Sequence, residues 1–387
     1  MNDIYKTKFN ISVEDLEELI RFQLEALWDE DLKASWQKAH RRAVAEQVPP
    51  VMIWGPPGVG KSSVMRDIAD DLGVGFIDVR LAQREPIDIR GLPVPGKDGV
   101  KWQVSSEWPR DPKGRGIILF DELTAADRTL QVAAYEFILD RRLGDLYRVP
   151  DGWYIAAAGN RTSDRAVATT LSSALANRFL HVNIEPDIET WMKWALKRDI
   201  HPDVTGFLRF KPDSLFSMEG NLERGWPSPR SWERVSTMMY MFDRTRRNNR
   251  SVSIAVEGLV GSGAGVEFIE FRKQQHKLDD VLEMMKNPEK IRIPKRPDQK
   301  YALCSSMVYH LWRGKNARDS AALLNGFYKI SLLLSSDFAA MAMMDAMQGT
   351  SSLSSDECSR RLMKSEMFKQ WQERHGKTLK NRKRRAG

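Results

Sequence analysis

Val51-Met52-Ile53-Trp54-Gly55-Pro56-Pro57-Gly58-Val59-Gly60-Lys61-Ser62 decides how the rest of this chain is read. Its first four residues are an apolar run of strand length, and the next eight match G-x-x-x-x-G-K-[ST] at every fixed position. Such a loop binds phosphate. Its glycines let backbone N–H groups turn inward around the oxygens, Lys61 brings a positive charge to the β and γ positions, and the Ser62 hydroxyl can ligate Mg²⁺. A helix predicted from Lys61 to about Leu72 adds the positive end of its dipole, with Ser63 completing the loop residues.

Downstream, strand and helix patterns alternate. Phe76 to Val79, Ile117 to Phe120, Trp153 to Ala158 and His181 to Ile184 read as strands, and Arg128 to Arg141 reads as a helix. The pattern predicts an α/β fold, a doubly wound parallel sheet whose ligands sit beyond the carboxyl ends of the strands. Gly55, Asp121 and Asn160 would all lie there. Leu92 to Trp102 reads as a hairpin with an Asp98-Gly99 turn, and Arg142 to Arg148 as a second hairpin. Before this domain, residues 1 to about 47 are helical, with Leu16, Leu19, Ile20, Phe22, Leu24, Leu27 and Trp28 on an apolar face behind the N-cap candidate Ser12. Beyond about Pro186 strand signals stop and helical periodicity takes over.

Gly116-Ile117-Ile118-Leu119-Phe120-Asp121-Glu122 is a buried-strand pattern ending in two acids. Placed after a phosphate loop, Asp121 would hold Mg²⁺ and its water while Glu122 would polarise the attacking water. Asn160 follows the next strand and could orient that water. Arg178, in Leu175-Ala176-Asn177-Arg178-Phe179, could neutralise charge developing on the transferred phosphoryl group, an effect of ~10³ to 10⁵ in rate.

The 387 residues leave room for two or three domains, and 42% hydrophobic with 29% charged residues excludes fibrous and wholly disordered classes. No apolar stretch approaches the ~18 uninterrupted residues of a membrane span and no secretory signal opens the chain, so a cytoplasmic protein is expected. Cys304 and Cys358 stand apart without a metal-binding pattern. Six of the formal charges lie in Lys377, Lys380, Arg382, Lys383, Arg384 and Arg385, leaving +2 of the total +8 on the body. A solvated end is the bland reading of that run, and nucleic-acid contact the sharper one.

In this order the phosphate loop, the Asp121-Glu122 strand, Asn160, Asn177-Arg178-Phe179 and Pro227-Ser228-Pro229-Arg230-Ser231-Trp232 resemble an AAA+ ATPase, a P-loop NTPase, of the MoxR-like group in the helix-2 insert clade. The likeness runs from about Val48 to Leu334 and includes Glu85-Pro86-Ile87-Asp88-Ile89-Arg90-Gly91-Leu92-Pro93 and Ala158-Gly159-Asn160-Arg161. It implies an N-terminal helical segment (1–47), a nucleotide-binding domain (48–185) with a helix-2 insert (about 92–108) and a pre-sensor-1 hairpin (about 142–153), a helical lid (186–345), and a C-terminal helix with a basic tail (346–387). It further implies that Asn160 is sensor 1, Arg178 the arginine finger reaching a neighbouring subunit, and Arg230 the sensor 2 arginine, acting on its own or the neighbour's nucleotide. Arg161 and Arg165 compete for the finger role.

By that resemblance the cofactors are ATP and Mg²⁺, held by Gly55, Pro56, Pro57, Gly58, Val59, Gly60, Lys61, Ser62 and Ser63, with Ser62 and Asp121 on the metal. No N-K-x-D guanine-reading motif argues for GTP. The implied assembly is a homo-oligomeric ring, usually a hexamer, that remodels a protein client beside a von Willebrand factor A domain partner. The alternative is a nucleic-acid-acting motor or loader using the tail and Lys101, Trp102, Tyr147 and Arg148.

Overall fold

The computed structural model describes residues 10–40, 43–97, 99–164, 169–218, 224–245, 249–275, 280–288 and 292–386. Arg165, a competitor for the finger role, lies outside them. The chain divides into two compact units, Met1–Glu185 and Pro186–Gly387.

The first unit runs β1 (Asn10–Ile11), α1 (Val13–Trp28), α2 (Glu30–His40), β2 (Val51–Trp54), α3 (Lys61–Leu72), β3 (Gly75–Arg80), α4 (Pro86–Arg90), β4 (Leu92–Gly96), β5 (Gly99–Gln103), β6 (Gly116–Asp121), α5 (Arg128–Asp140), β7 (Arg142–Leu143), β8 (Tyr147–Arg148), β9 (Trp153–Gly159), α6 (Ser173–Ala176) and β10 (Leu180–Ile184). Six strands form one parallel sheet in the order β1-β10-β2-β9-β6-β3. Helices on both faces bury it, which is why β2, β6 and β9 read as unbroken apolar runs. From β2 the chain crosses to the far edge at β3, returns through β6 and β9, and then passes to β10 on the other side of β2. The strand order therefore reverses at β2, where a ligand crevice is expected.

Local chemistry sets the element ends. Ser12 and Asp15 form a capping box on α1, and Asp127 caps α5 by accepting from the Thr129 and Leu130 amides. The helix α3 closes on left-handed Gly73, whose amide donates to the Asp70 carbonyl. The N-terminal segment packs into this unit: β1 pairs with β10, Trp28 Nε1 donates to the Gly152 carbonyl at 2.9 Å, and the Tyr154 hydroxyl donates to Gln23. The apolar face of α1 is narrower than expected, because Leu16, Ile20, Leu24 and Leu27 are buried while Phe22 is 67% exposed. The β4–β5 hairpin also differs by one residue. Gly96 pairs with Gly99, so Gly99 belongs to the strand and not to the turn; Asp98 lies outside the described residues.

The second unit is helical: α7 (Ile188–Lys197), α8 (Pro202–Phe210), α9 (Pro229–Thr245), α10 (Asn249–Gln275), α11 (Val281–Lys286), α12 (Pro297–Leu311), α13 (Ala317–Leu333), α14 (Ser336–Met347), α15 (Ser355–Met363) and α16 (Met367–Ala386). One core gathers Trp191, Phe207, Trp232, Val256 and Phe268; another gathers Met307, Phe327, Met341, Met343, Leu362 and Trp371. The second core joins residues on either side of position 345, so the segment after it packs with the preceding helices. Met341 and Met343 fill this core, as their flexible thioethers suit. The basic run is not a loose end: α16 extends to Ala386, with Lys377 and Lys380 exposed and Leu379 buried. By length and composition the Arg250–Gln274 stretch of α10 could cross a membrane, but Gly261 (φ 78, ψ 162) breaks it into two runs, each shorter than the ~20 residues a span needs. Its Val252, Val256, Val260, Phe268 and Phe271 are core residues.

Candidate functional site

The loop after β2 lies between the neighbouring strands β9 and β10, and its shape depends on glycine. Gly58 and Gly60 adopt positive φ values of 83° and 103°, which turn successive amides the same way. A Cβ on Gly55 would stand 2.8 Å from the Ile184 carbonyl oxygen at the end of β10. Lys61 is buried, and its ammonium donates to the Gly55 carbonyl at 2.7 Å, the Pro56 carbonyl at 3.1 Å and Asn160 Oδ1 at 2.9 Å. All three of these acceptors are neutral oxygens.

The Ser62 hydroxyl donates to Asp121 Oδ2 at 2.5 Å, joining the start of α3 to the end of β6. Two hard oxygen donors thus stand side by side, one carboxylate and one hydroxyl. Among the described residues no group of three metal-ligating side chains exists. A cation at Ser62 and Asp121 would draw its remaining oxygens from phosphate and water, which is how Mg²⁺ is held in phosphoryl-transfer sites. The residues fit Mg²⁺ and a triphosphate.

Glu122 follows β6 in the left-handed region (φ 57), a conformation that costs a non-glycine residue about 1 kcal/mol. Its amide donates to Asp121 Oδ1 at 2.8 Å and its carbonyl accepts from the Ala125 amide at 2.9 Å, so the turn is held from both sides. The Glu122 side chain is exposed beside the loop.

Asn160 is placed by a residue the sequence reading passed over. Thr124 Oγ1 accepts from the Asn160 amide at 3.0 Å and donates to the Asn160 carbonyl at 3.1 Å. The Leu123 amide donates to the Ala158 carbonyl, so the ends of β6 and β9 are stitched together. The signal was present as Asp121-Glu122-Leu123-Thr124, but a threonine three residues past a strand acid is ordinary until its partner is known. Asp78 on β3 was also missed. Burial, and then the neighbouring Asp121 charge, push its carboxyl above the ordinary range.

Arg178 is exposed and precedes β10, whose Leu180 pairs with Val51 at the start of β2. Because the strands are parallel, Arg178 sits at the amino edge of the sheet and Lys61 beyond the carboxyl edge, with the length of β2 between them. Arg161 is engaged elsewhere: its Nε donates to Asp164 at 3.1 Å and its amide to the same carboxylate at 2.7 Å. Arg230 is exposed at the start of α9 in the second unit. In the β7–β8 hairpin, Tyr147 is buried with its hydroxyl donating to the Pro109 carbonyl, and Arg148 pairs with Glu46. Tyr147 is thus held inside the unit, whereas Arg148 is exposed and Trp102 is 48% exposed beside Lys101.

Residues 51–137 match the family described as ATPase family associated with various cellular activities (AAA). A 144-residue stretch, 35% of this chain, is 28% identical to midasin of Giardia intestinalis and spans 3% of that protein's length. A crystal structure of a candidate ATPase from Cytophaga hutchinsonii is similar over 85% of this chain and 87% of its own, with 15% identity and a TM-score of 0.30, an overlap too loose to argue from.

Proposed function

We propose that this chain, which carries an AAA ATPase domain and is an ATPase, completes its active site only between adjacent copies and uses hydrolysis to remodel a protein client. The observation that carries the interface is the separation of Arg178 from Lys61 across the sheet: one copy brings the cradle and acids, and the next brings the guanidinium. A closed ring, a hexamer in the MoxR-like reading, repeats that contact around an axis.

Within the site each residue has a distinct task. The loop amides and Lys61 bind the β and γ phosphates, and Ser62 and Asp121 hold the cation. An Mg²⁺ ion held by Ser62 and Asp121 would supply positive charge to the phosphates. Glu122 takes the proton of the water that attacks the terminal phosphorus, and Asn160, held by Thr124, orients that water. Arg178 from the neighbour offsets negative charge as the bond to ADP breaks. Arg230 is proposed as the second unit's contribution to nucleotide sensing.

The remodelling role and a von Willebrand factor A domain partner rest on the motif resemblance. A nucleic-acid role is favoured by one observation, exposed Trp102 next to Lys101, while Tyr147 is buried and so contributes no stacking face.

Mixed assemblies test the interface. Lys61→Ala and Arg178→Ala chains, each inactive alone, should regain part of the ATPase rate when co-assembled, since an intact finger then meets an intact loop. Co-assembly without any recovered turnover would place the finger within its own chain and defeat the proposal.

A further inference from the structure

Trp54, the last residue of β2, stands directly before Gly55 of the phosphate loop, and its side chain reaches His181, the second residue of β10. Trp54 Nε1 donates to His181 Nδ1 at 2.8 Å, and the two rings lie 15° from parallel with centroids 6.0 Å apart. An indole nitrogen can only donate, so His181 Nδ1 is the bare nitrogen of a neutral imidazole. Its Nε2 then carries the proton, and that nitrogen stands 2.7 Å from the Ala176 carbonyl, which can only accept. Both contacts select the same tautomer.

Ala176 ends α6, two residues before Arg178. In the turn that follows, the Leu175 carbonyl accepts from the Arg178 amide at 3.1 Å and the Ala176 carbonyl accepts from the Phe179 amide at 3.3 Å. Leu175 and Phe179 are buried on either side of exposed Arg178, and the Phe179 ring meets His181 edge-on at 6.1 Å. These backbone bonds shape the turn from within. The His181 bond adds a tie from the turn to the sheet and, through Trp54, to β2. Because Leu180 pairs with Val51 and Asn183 with Trp54, the two side-chain bonds together cover the stretch from the amino edge, where Arg178 lies, to the end of β2 from which the phosphate loop springs. His181 is itself exposed, so it adds little to the core, and its two bonds supply direction instead.

We infer that His181, anchored by Trp54, is a positioning residue that holds the Arg178 turn at the angle from which the guanidinium reaches the next copy's nucleotide. The inference rests on the reading of Arg178 as a finger acting between copies, and it deepens that reading by naming what aims the finger. A misplacement of about 1 Å at a reacting group can cost on the order of 10² in rate, so a tie of two hydrogen bonds is enough to matter. His181 touches neither nucleotide nor water in this role. It acts in the copy that donates the arginine, not in the copy that hydrolyses.

That asymmetry is the test. In mixed assemblies of full-length Lys61→Ala and Arg178→Ala chains, the first donates the finger and the second the loop. His181→Phe, which keeps a ring and loses both hydrogen bonds, is placed in one chain or the other, with co-assembly checked by size. In the finger-donating chain it should cut the recovered ATPase rate about tenfold or more, and in the loop-donating chain it should leave that rate within about twofold. Trp54→Phe in the finger-donating chain, whose own loop is already disabled, should act in the same direction. Because one substitution is read in two placements, a general folding defect would lower both. Equal loss in both, loss only from the loop-donating chain, or no loss in either would overturn the assignment. A parental mixture that recovers no turnover would sink the finger reading itself, and this inference with it, before any change at His181 is made.

Discussion

Glu122 holds a strained backbone just after β6 with its side chain exposed, and Asp121 and Ala125 fix it there. Removing its proton-accepting capacity while keeping its shape should separate binding from turnover. Glu122→Gln is expected to bind ATP with near-native affinity and to lose ~10² to 10⁴ in kcat, measured by nucleotide titration and phosphate release. Thr124 acts one step further away, through two hydrogen bonds to the Asn160 backbone. Thr124→Val should lower kcat about tenfold or more with little change in KM for ATP. A fall in affinity of the same size would mean that Thr124 supports the loop as a whole and not the water-orienting residue.

Among the elements of the second unit, α7, α8 and α14 are joined by one charge cluster whose Arg209 and Asp345 are buried. Arg209 on α8 pairs with Glu189 on α7 at 2.7 Å and with Asp345 on α14 at 2.5 Å. Burial pushes the Asp345 carboxyl up, and Arg209 opposes that shift; burial alone would lower Arg209, but Asp345 and Glu189 more than offset it. Arg209→Met would leave Asp345 buried without its counter-charge, an expected loss of ~3 to 5 kcal/mol in chemical denaturation. The double variant Arg209→Met, Asp345→Leu should recover much of that loss. If the single change were neutral, the cluster would carry no stabilising charge pairing.

For the molecule as a whole, stability should fall on the acid side. Burial, followed by the nearby Arg313 charge, lowers the pKa of His310 on α12 from its ordinary value of 6.5. The folded state therefore keeps this imidazole neutral where the unfolded chain binds a proton. The unfolded state binds more protons, so stability rises with pH through this range. The contribution is present above pH 6.5 and is lost as the pH falls through the lowered folded value. Thermal melts of wild type and His310→Gln across pH 5 to 7.5 should converge at low pH, and a constant difference would remove the histidine as the cause.

Much of the candidate site's local structure was legible because its determinants are contiguous. The Gly55-to-Ser62 loop needs only its own glycines and the apolar run before it, and β6 announces itself through four apolar residues followed by Asp121 and Glu122. Helical periodicity likewise showed where strands end, although the break at Gly261 was hidden among glycines that a helix tolerates singly. Phe22 was misjudged because a 3.6-residue stripe specifies a face only to within about one residue's turn.

The chain order of motifs determined the sheet's composition and the chemistry at its carboxyl edge, since both rest on local pattern and on residues within one loop. Tertiary structure decided what depends on partners far apart: the Thr124–Asn160 bonds, the Arg209–Asp345 pair and the opposite edges occupied by Lys61 and Arg178. Periodicity records how a side chain is oriented on its own element. It carries no information about which distant backbone or charge that side chain will meet once the elements pack.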